Sequence, residues 1–159
     1  MEETVSATLS LTGRERAALA AVNADIGAGK VSCAVILGGE VMDSAEGMGL
    51  KPLLSLYEKG ALTGAFVVDK IIGKAAAMIL VLGGAAKAYG DTVSVSSMEY
   101  LTAHGIPVAA GQMIDRIINR AGTGLCPMEQ TVLAIDDPAE GLSALRLTIE
   151  RLRAAVPRP

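Results

Sequence analysis

Residues 31–45 read VSCAVILGGEVMDSA, and this stretch indicates a β-hairpin within a sheet. Residues 31–37 form an apolar run, which is typical of a buried central strand. Gly38 and Gly39 fit a two-residue hairpin turn, because glycine tolerates the positive φ angles that such a turn needs. Residues 40–45 are then the returning strand.

The segment before the hairpin predicts a helix over residues 12–27. Thr12 and Glu15 have the spacing of a capping box, in which each side chain bonds to the other residue's backbone N–H group. Residues 1–11 are expected to be a tail or an additional edge strand. The predicted helix carries an apolar stripe at Ala18, Leu19, Val22 and Ile26.

Beyond the hairpin, helical and strand patterns alternate, which predicts an α/β fold. We expect a three-layer α/β/α sandwich with a mixed sheet, and a single domain over residues 12–155. The predicted strands cover residues 65–68 and 106–109 and part of residues 85–95. The predicted helices cover residues 53–59, 70–82, 97–104, 112–119, 127–135 and 138–155.

The composition excludes nucleic acid as an expected partner. The chain has 159 residues, a formal net charge of −3, three Tyr, one Phe and no Trp. A mild negative charge gives no electrostatic basis for binding DNA or RNA, and so few aromatic rings offer little surface on which bases could stack.

We expect a cytoplasmic protein that does not insert into a membrane. The longest apolar run, residues 71–82, is shorter than the roughly 20 residues that cross a bilayer. The acidic start of the chain lacks the layout of a signal peptide. Cys33 and Cys126 are far apart in the sequence and are expected to be reduced thiols.

Residues 119–129 read NRAGTGLCPME and give the first candidate site. Pro127 suits the first position of a helix, which makes Cys126 the N-cap beside the positive end of the helix dipole, where the pKa of a thiol tends to fall. Arg120 can clamp a phosphate or carboxylate. The backbone N–H groups of the glycine-rich turn, Gly122, Thr123 and Gly124, can also point at an anion.

An alternative interpretation of this segment is structural. Cys126 is then a small buried cap residue, Glu129 reaches back to its N–H group as in a capping box, and the glycines only shape a turn. His104 is the single histidine, so neither a metal site nor a Cys–His dyad is expected.

Residues 69–77 read DKIIGKAAA and give the second candidate site. If Asp69 is the N-cap of the helix over residues 70–82, Lys70 and Lys74 share one helical face. Two ammonium groups on an apolar helix favour an anion or carboxylate between them, because burying them without one costs free energy. The alternative is that Lys70 is exposed, Lys74 extends to the surface and Asp69 only caps the helix.

Together the two segments predict one pocket for a nucleotide-like or other phosphate-bearing small molecule, without a cofactor. The residues expected to take part in a reaction are Cys126 as nucleophile and Asp69 and Glu129 as proton carriers. The residues expected to hold the ligand are Lys70, Lys74, Arg120, Gly122, Thr123 and Gly124.

The chain resembles the family known as domain of unknown function 1893. The resemblance rests on residues 49–54, read GLKPLL, and on the two candidate segments, in which the string GTGLCPME is specific. It extends from about Thr12 to about Leu152. It implies a cytidine deaminase-like fold, in which a mixed sheet lies between layers of helices.

The resemblance does not bring the zinc chemistry of deaminases with it. In those enzymes a His/Cys-x-Glu sequence opens one central helix, Pro-Cys-x-x-Cys opens the next, and together they bind zinc. Here residues 69–71 and 94–99 are expected at the two helix starts, and neither has the ligands. A zinc-dependent deaminase is therefore not expected.

Three functions stay open at this point. The favoured one is a zinc-independent enzyme, or former enzyme, acting on a nucleotide-like compound. The second is a non-catalytic nucleotide sensor that uses the same pocket. The third is an interaction module that forms a homo-oligomer, since deaminase-like folds commonly self-associate.

Overall fold

The structure is a computed structural model that describes residues 4–5 and 9–156. Helices and strands alternate along it, which confirms the predicted α/β class. The elements are β1 (Thr4–Val5), α1 (Gly13–Gly27), β2 (Cys33–Leu37), β3 (Glu40–Ala45), α2 (Lys51–Glu58), β4 (Phe66–Ile72), α3 (Lys74–Gly83), β5 (Lys87–Ser94), α4 (Val95–Ala103), β6 (Val108–Ile114), α5 (Pro127–Val132) and α6 (Pro138–Ala155).

The strands form one mixed sheet in the order β1-β6-β5-β4-β2-β3. β4, β5 and β6 are parallel, whereas β2 runs antiparallel to both β3 and β4. The mixed sheet is therefore confirmed. β1 pairs antiparallel with β6, so Thr4–Val5 form an edge strand. The rest of the predicted N-terminal tail or strand, in residues 1–3 and 6–8, lies outside the described residues.

Two hydrophobic cores lie on opposite faces of the sheet. Phe66 and Val68 of β4 pack in the core beneath α1, whereas Val67 packs in the larger core beneath the helices from α2 to α6. Successive side chains of a strand point to opposite faces. Asp69 consequently lies on the face of β4 that carries α3, which is the face where the pocket opens.

The start of α1 forms as predicted. The Thr12 hydroxyl accepts the N–H of Glu15 at 3.1 Å, and the Glu15 carboxylate accepts the N–H of Thr12 at 2.9 Å. These two bonds satisfy N–H groups that have no partner within the helix. The predicted apolar stripe is buried against the sheet, at Ala18, Leu19, Val22 and Ile26.

The hairpin is also confirmed. Gly38 and Gly39 have φ angles of 60° and 80°, the left-handed region that glycine adopts without steric cost. β2 lies in the interior of the sheet between β3 and β4, which explains its apolar sequence.

The predicted helix over residues 70–82 is wrong at its start. β4 continues to Ile72, and α3 begins at Lys74 with Gly73 as its N-cap. Asp69 is therefore not a helix cap, and Lys70 lies on a strand. Apolar residues dominate both β4 and α3, and the polar residues Asp69, Lys70 and Lys74 lie too close together to reveal a change of periodicity at the boundary.

Two other predictions need correction near the C-terminal half. The predicted helix over residues 112–119 does not form, because β6 extends to Ile114 and pairs Gln112 with Thr92 of β5. α5 begins at Pro127 as predicted but ends at Val132. The last helix is confirmed as α6, where the Asp137 carboxylate accepts the N–H of Glu140 at 2.8 Å.

Candidate functional site

A pocket of about 360 Å³ opens where the C-terminal end of β4, the first turn of α3 and residues 117–129 meet. Residues 47–50 complete its wall. A volume of this order suits a small-molecule ligand. The two predicted segments therefore meet at one pocket, whose wall includes Asp69, Gly73, Ala75, Ile117, Cys126 and Glu129.

Asp69 is partly buried in the pocket wall. Its Oδ1 accepts the N–H of Lys70 at 2.8 Å, and the N–H of Ile71 also bonds to the carboxylate. Among residues 9–156, no Lys or Arg forms an ion pair with it. Removal from water raises the pKa of Asp69 to about 7, with the two N–H groups opposing the rise. This carboxyl group can therefore exchange a proton near neutral pH.

Cys33 lies behind Asp69 on the neighbouring strand. The two residues are directly opposite each other in the β2–β4 ladder, so their side chains share one face of the sheet. Cys33 is fully buried and is a free thiol. Burial, together with the negative charges of Asp69 and Asp43, raises the pKa of Cys33 well above its usual range. Its thiol is thus a neutral apolar neighbour of the pocket.

Glu129 is the buried cap of α3. Its Oε1 accepts the N–H of Lys74 at 2.8 Å, and its Oε2 accepts the N–H of Ala75 at 3.0 Å. A carboxylate is favoured at this position because it satisfies free N–H groups at the positive end of the helix dipole. The N–H of Cys126 instead donates to the carbonyl of Ile117 at 2.9 Å. The alternative in which Glu129 caps its own helix is therefore wrong.

Gly73 is needed for this contact because the carboxylate approaches its backbone closely. A Cβ atom at this position would lie 2.6 Å from Oε1 of Glu129 and closer still to Cδ1 of Ile117. The φ angle of Gly73 is −99°, so the requirement is steric and does not arise from backbone strain.

Lys74 completes the connection between α3 and α5. Its Nζ donates to the carbonyls of Val132 at 2.9 Å and Leu133 at 3.3 Å, at the end of α5. The ammonium group satisfies carbonyls that a helix end leaves without partners. The predicted pairing of Lys70 and Lys74 on one helical face is wrong, since Lys70 belongs to β4.

Lys70 and Arg120 are the pocket cations that remain exposed. Both belong to the pocket wall, and in the described ranges neither forms an ion pair with an acidic residue. The guanidinium Nη2 of Arg120 contacts Sδ of Met48 at 3.2 Å. Met48 is 62% exposed and lies in the loop over residues 47–50. Arg120 is accessible to a ligand anion at the mouth of the pocket, and Lys70 lies between this mouth and an adjoining cleft lined by Ile26 and Gly29.

Cys126 precedes α5 and faces the same pocket. Its side chain is partly buried and makes no capping hydrogen bond. The structure thus brings Asp69 and Cys126 to one cavity, as predicted, but it places Cys126 before a helix of only six residues.

The turn that precedes Cys126 is closed by its own hydrogen bonds. The N–H of Gly122 donates to the carbonyl of Asn119 at 3.0 Å, and the N–H of Thr123 donates to Oδ1 of Asn119 at 3.0 Å. The pocket wall does not include the residues of this turn, Gly122, Thr123 and Gly124. The structure therefore does not bring these three predicted ligand-binding residues to the pocket.

A family comparison matches most of the chain. The family model described as Domain of unknown function (DUF1893) matches residues 22–149. The chain belongs to the DUF1893 family. The family prediction is thus confirmed, and the matched range contains the whole pocket wall. No curated protein matches the chain.

A solved structure supports the DUF1893 fold. The crystal structure of a DUF1893 family protein (TM1506) from Thermotoga maritima is similar to this chain with a TM-score of 0.73 and 23% sequence identity. The similarity covers 92% of this chain and 99% of that chain. At this identity the likeness concerns the fold alone.

Of the two helix starts that the resemblance implied, the one at residues 94–99 forms in this DUF1893 protein and the one at residues 69–71 does not. Residues 69–71 belong to β4, whereas α4 follows Ser94, whose Oγ accepts the N–H of Ser97 at 3.3 Å.

Nδ1 of His104 lies 2.8 Å from the carbonyl of Tyr100, at the end of α4. Within residues 4–5 and 9–156, no three His, Cys, Asp or Glu side chains are grouped to hold a metal ion, and no helix could span a membrane.

Sequence reasoning missed the contact between Glu129 and the start of α3. The two elements are separated by more than 50 residues, so no local pattern links them. The available signal is Gly73 immediately before a helix, since glycine there allows another group to approach the first turn closely.

Proposed function

We propose that the pocket binds a nucleotide-like or other phosphate-bearing small molecule. The observation that carries the proposal is the combination of a partly buried carboxyl group, Asp69, with two exposed cations, Lys70 and Arg120, in one wall. Ligand sites are commonly apolar cavities with a few convergent polar groups. The apolar wall would receive the ring system of the ligand, and the cations would receive its phosphate.

The phosphate is assigned to the mouth of the pocket because the start of α3 is already occupied. Glu129 takes the N–H groups of Lys74 and Ala75 there. Arg120 can offer a planar pair of donors to a phosphate, and Lys70 adds a second positive charge.

The chemistry we propose for this site is zinc-independent and begins at Asp69. A carboxyl group with a pKa of about 7 suits general acid–base catalysis near neutral pH. Cys126 is the proposed nucleophile, since its thiol lies in the same wall. Glu129, predicted as a second proton carrier, is assigned instead to holding α5 against α3, because both its oxygens accept N–H groups.

A second candidate function is a non-catalytic nucleotide sensor. The side chain of Cys126 has no base beside it among the hydrogen bonds of the described residues, and the single histidine, His104, is bound at the end of α4. A sensor would bind the same ligands without turnover, and Cys126→Ser would leave their affinity unchanged.

We further propose that the sandwich is cytidine deaminase-like. A hairpin followed by parallel strands β4, β5 and β6, with α3 and α4 between them, supports this arrangement. A cytoplasmic location and self-association stay predictions from the sequence.

The test is a thermal-unfolding panel of nucleotides and simple phosphates on wild type and on the double variant Lys70→Ala/Arg120→Ala. Saturation at 100 times the dissociation constant should add about 2.7 kcal/mol to the stability of the wild type. The double variant should lose most of this gain. Arg146→Ala is the matched control, since Arg146 is exposed in a different cavity.

Lys74→Ala is unsuitable as the probe because it also removes the bonds to the carbonyls of Val132 and Leu133. If no compound stabilises the wild type, or if the double variant retains the full effect, the proposed binding site is wrong.

A further inference from the structure

Asp69 is a carboxylate for which the protein supplies only part of the hydrogen bonding. An ionised carboxylate has about four lone-pair sites that can accept hydrogen bonds. The N–H groups of Lys70 and Ile71 use two of them. Among residues 9–156 no other donor bonds to this carboxylate, so two acceptor positions remain on a side chain that lines the pocket.

The surroundings of Asp69 increase its demand for donors. No cation pairs with it in the part of the chain that the structure describes. Cys33 behind it is fully buried, and the pocket wall near it contains Ile71 and Ala75. A carboxylate in such surroundings is stabilised only when donors from another source reach it.

The carboxylate is also held in a fixed direction. Its two backbone donors belong to the same strand, and its place opposite Cys33 keeps it on the α3 face of the sheet. A fixed carboxylate recognises a pair of parallel donors best, because two hydrogen bonds then form without reorganisation.

We infer that Asp69 recognises the edge of a planar ring that carries two adjacent N–H donors, as a guanine ring does, in a phosphate-bearing ligand. This inference rests on the proposed function and names the ligand class of the same pocket, and for this ligand it makes Asp69 the anchor of the ring in place of the proton carrier. The ring would lie between apolar side chains of the wall, such as Ile117 and Met128. The phosphate would lie at the mouth, beside Lys70 and Arg120.

Other ring edges fit the carboxylate less well. A hypoxanthine ring offers one donor from its ring nitrogen but lacks the adjacent amino group. An adenine ring offers an amino group beside a ring nitrogen that is an acceptor, which would face a carboxylate oxygen. A site with a buried polar group discriminates strongly against a ligand that leaves that group without its partner.

The test compares GMP with IMP, because the two differ only by the amino group next to the ring N–H. Their dissociation constants are measured by calorimetry at pH 8 for wild type, Asp69→Asn and Asp43→Asn. Asp43 is the matched control, since it lies on β3 outside the pocket wall and also neighbours Cys33. Circular dichroism confirms that each variant is folded.

Wild type and Asp43→Asn should bind GMP at least about tenfold more tightly than IMP, the value of one hydrogen bond to a charged group. Asp69→Asn replaces one acceptor oxygen by a donor, so its preference for GMP should fall below about threefold. If that variant fails to fold, the ratio in the wild type decides alone.

Two results overturn the inference in distinguishable ways. If GMP and IMP bind equally and both need Lys70 and Arg120, the ligand class is wrong but the phosphate-binding pocket stands. If neither nucleotide binds, and inorganic phosphate also fails to stabilise the protein, the proposed function is wrong as well.

Discussion

Two carboxylates share the pocket wall, Glu129 on α5 and Asp69 on β4, and their surroundings differ. Glu129 has one N–H partner for each oxygen at the start of α3. Within the part of the chain that the structure describes, the donors to Asp69 are N–H groups of its own strand, and burial raises its pKa to about 7. A carboxylate that caps a helix start, as Glu129 does, has a structural role. A carboxylate away from a helix start, as Asp69 is, keeps acceptor positions for a ligand.

The largest effect is expected for Glu129→Ala. The substitution leaves the N–H groups of Lys74 and Ala75 buried without partners, so it should lower the free energy of unfolding by about 2–4 kcal/mol. Urea unfolding measures the change. Glu150→Ala is the matched control on the exposed face of α6, where its pair with Arg153 should contribute less than about 0.5 kcal/mol. Equal effects of the two substitutions would contradict the structural role of Glu129.

Gly73→Ala tests the close approach of the same carboxylate. A Cβ atom at residue 73 lies 2.6 Å from Oε1 of Glu129 and closer still to Cδ1 of Ile117, so both side chains must move away from α3, and overpacking of this kind costs about 1–3 kcal/mol. Thermal unfolding reports the loss. Gly13→Ala is the control, since a Cβ there meets no atom within 4 Å. A Gly73→Ala protein as stable as wild type would show that the contact is loose.

Asp69→Asn should raise the free energy of unfolding, in contrast to the two substitutions above, and the increase should depend on pH. Because the pKa of Asp69 is raised from 3.8 to about 7, the folded state keeps a proton that the unfolded state releases between about pH 4 and pH 7. The free energy of unfolding of the wild type therefore falls as the pH rises through this window. The whole shift corresponds to about 4 kcal/mol, but Asn has one acceptor oxygen fewer, so the neutral variant should be more stable by about 1–2 kcal/mol at pH 8 and should lose this advantage as the pH falls towards 4.

Urea unfolding of both proteins from pH 4 to pH 8 measures this difference. A constant difference across the range would mean that Asp69 has the same pKa in the folded and unfolded states. Such a result would remove the proposed difference between the surroundings of Asp69 and those of Glu129.

The smallest effect on stability is expected at Cys126. Its side chain makes no capping bond, so Cys126→Ser should change the free energy of unfolding by less than about 0.5 kcal/mol. In the folded protein, iodoacetamide should modify Cys126 and leave Cys33 unmodified, because Cys33 is buried and its pKa is raised. Mass spectrometry of the digested protein distinguishes the two. Modification of Cys33 first would contradict the placement of both thiols.

Local sequence signals predicted the first part of the fold well. The capping box of Thr12 and Glu15 and the turn at Gly38 and Gly39 involve neighbouring residues, so their chemistry is visible in the sequence. The specific string over residues 119–129 likewise led to the family, and the meeting of Asp69 with Cys126 followed the prediction.

The remaining features depend on contacts between distant segments. The boundary between β4 and α3 is hidden because apolar residues dominate both elements, and the few polar residues near Gly73 fit a strand as well as a helix. The side chains of Lys74 and Glu129 form hydrogen bonds with backbone groups that are far from them in the sequence. Their roles therefore became visible only when α3 and α5 were placed together.

The most direct test of the account is a carbon NMR titration of the Asp69 carboxyl group, with and without GMP. The account predicts a midpoint near pH 7 in the free protein, because burial disfavours the charge. It predicts a lower midpoint with GMP, because two N–H donors stabilise the ionised form. A midpoint near 4 in the free protein that GMP does not change would contradict the assignment of Asp69 as the ligand-facing carboxylate.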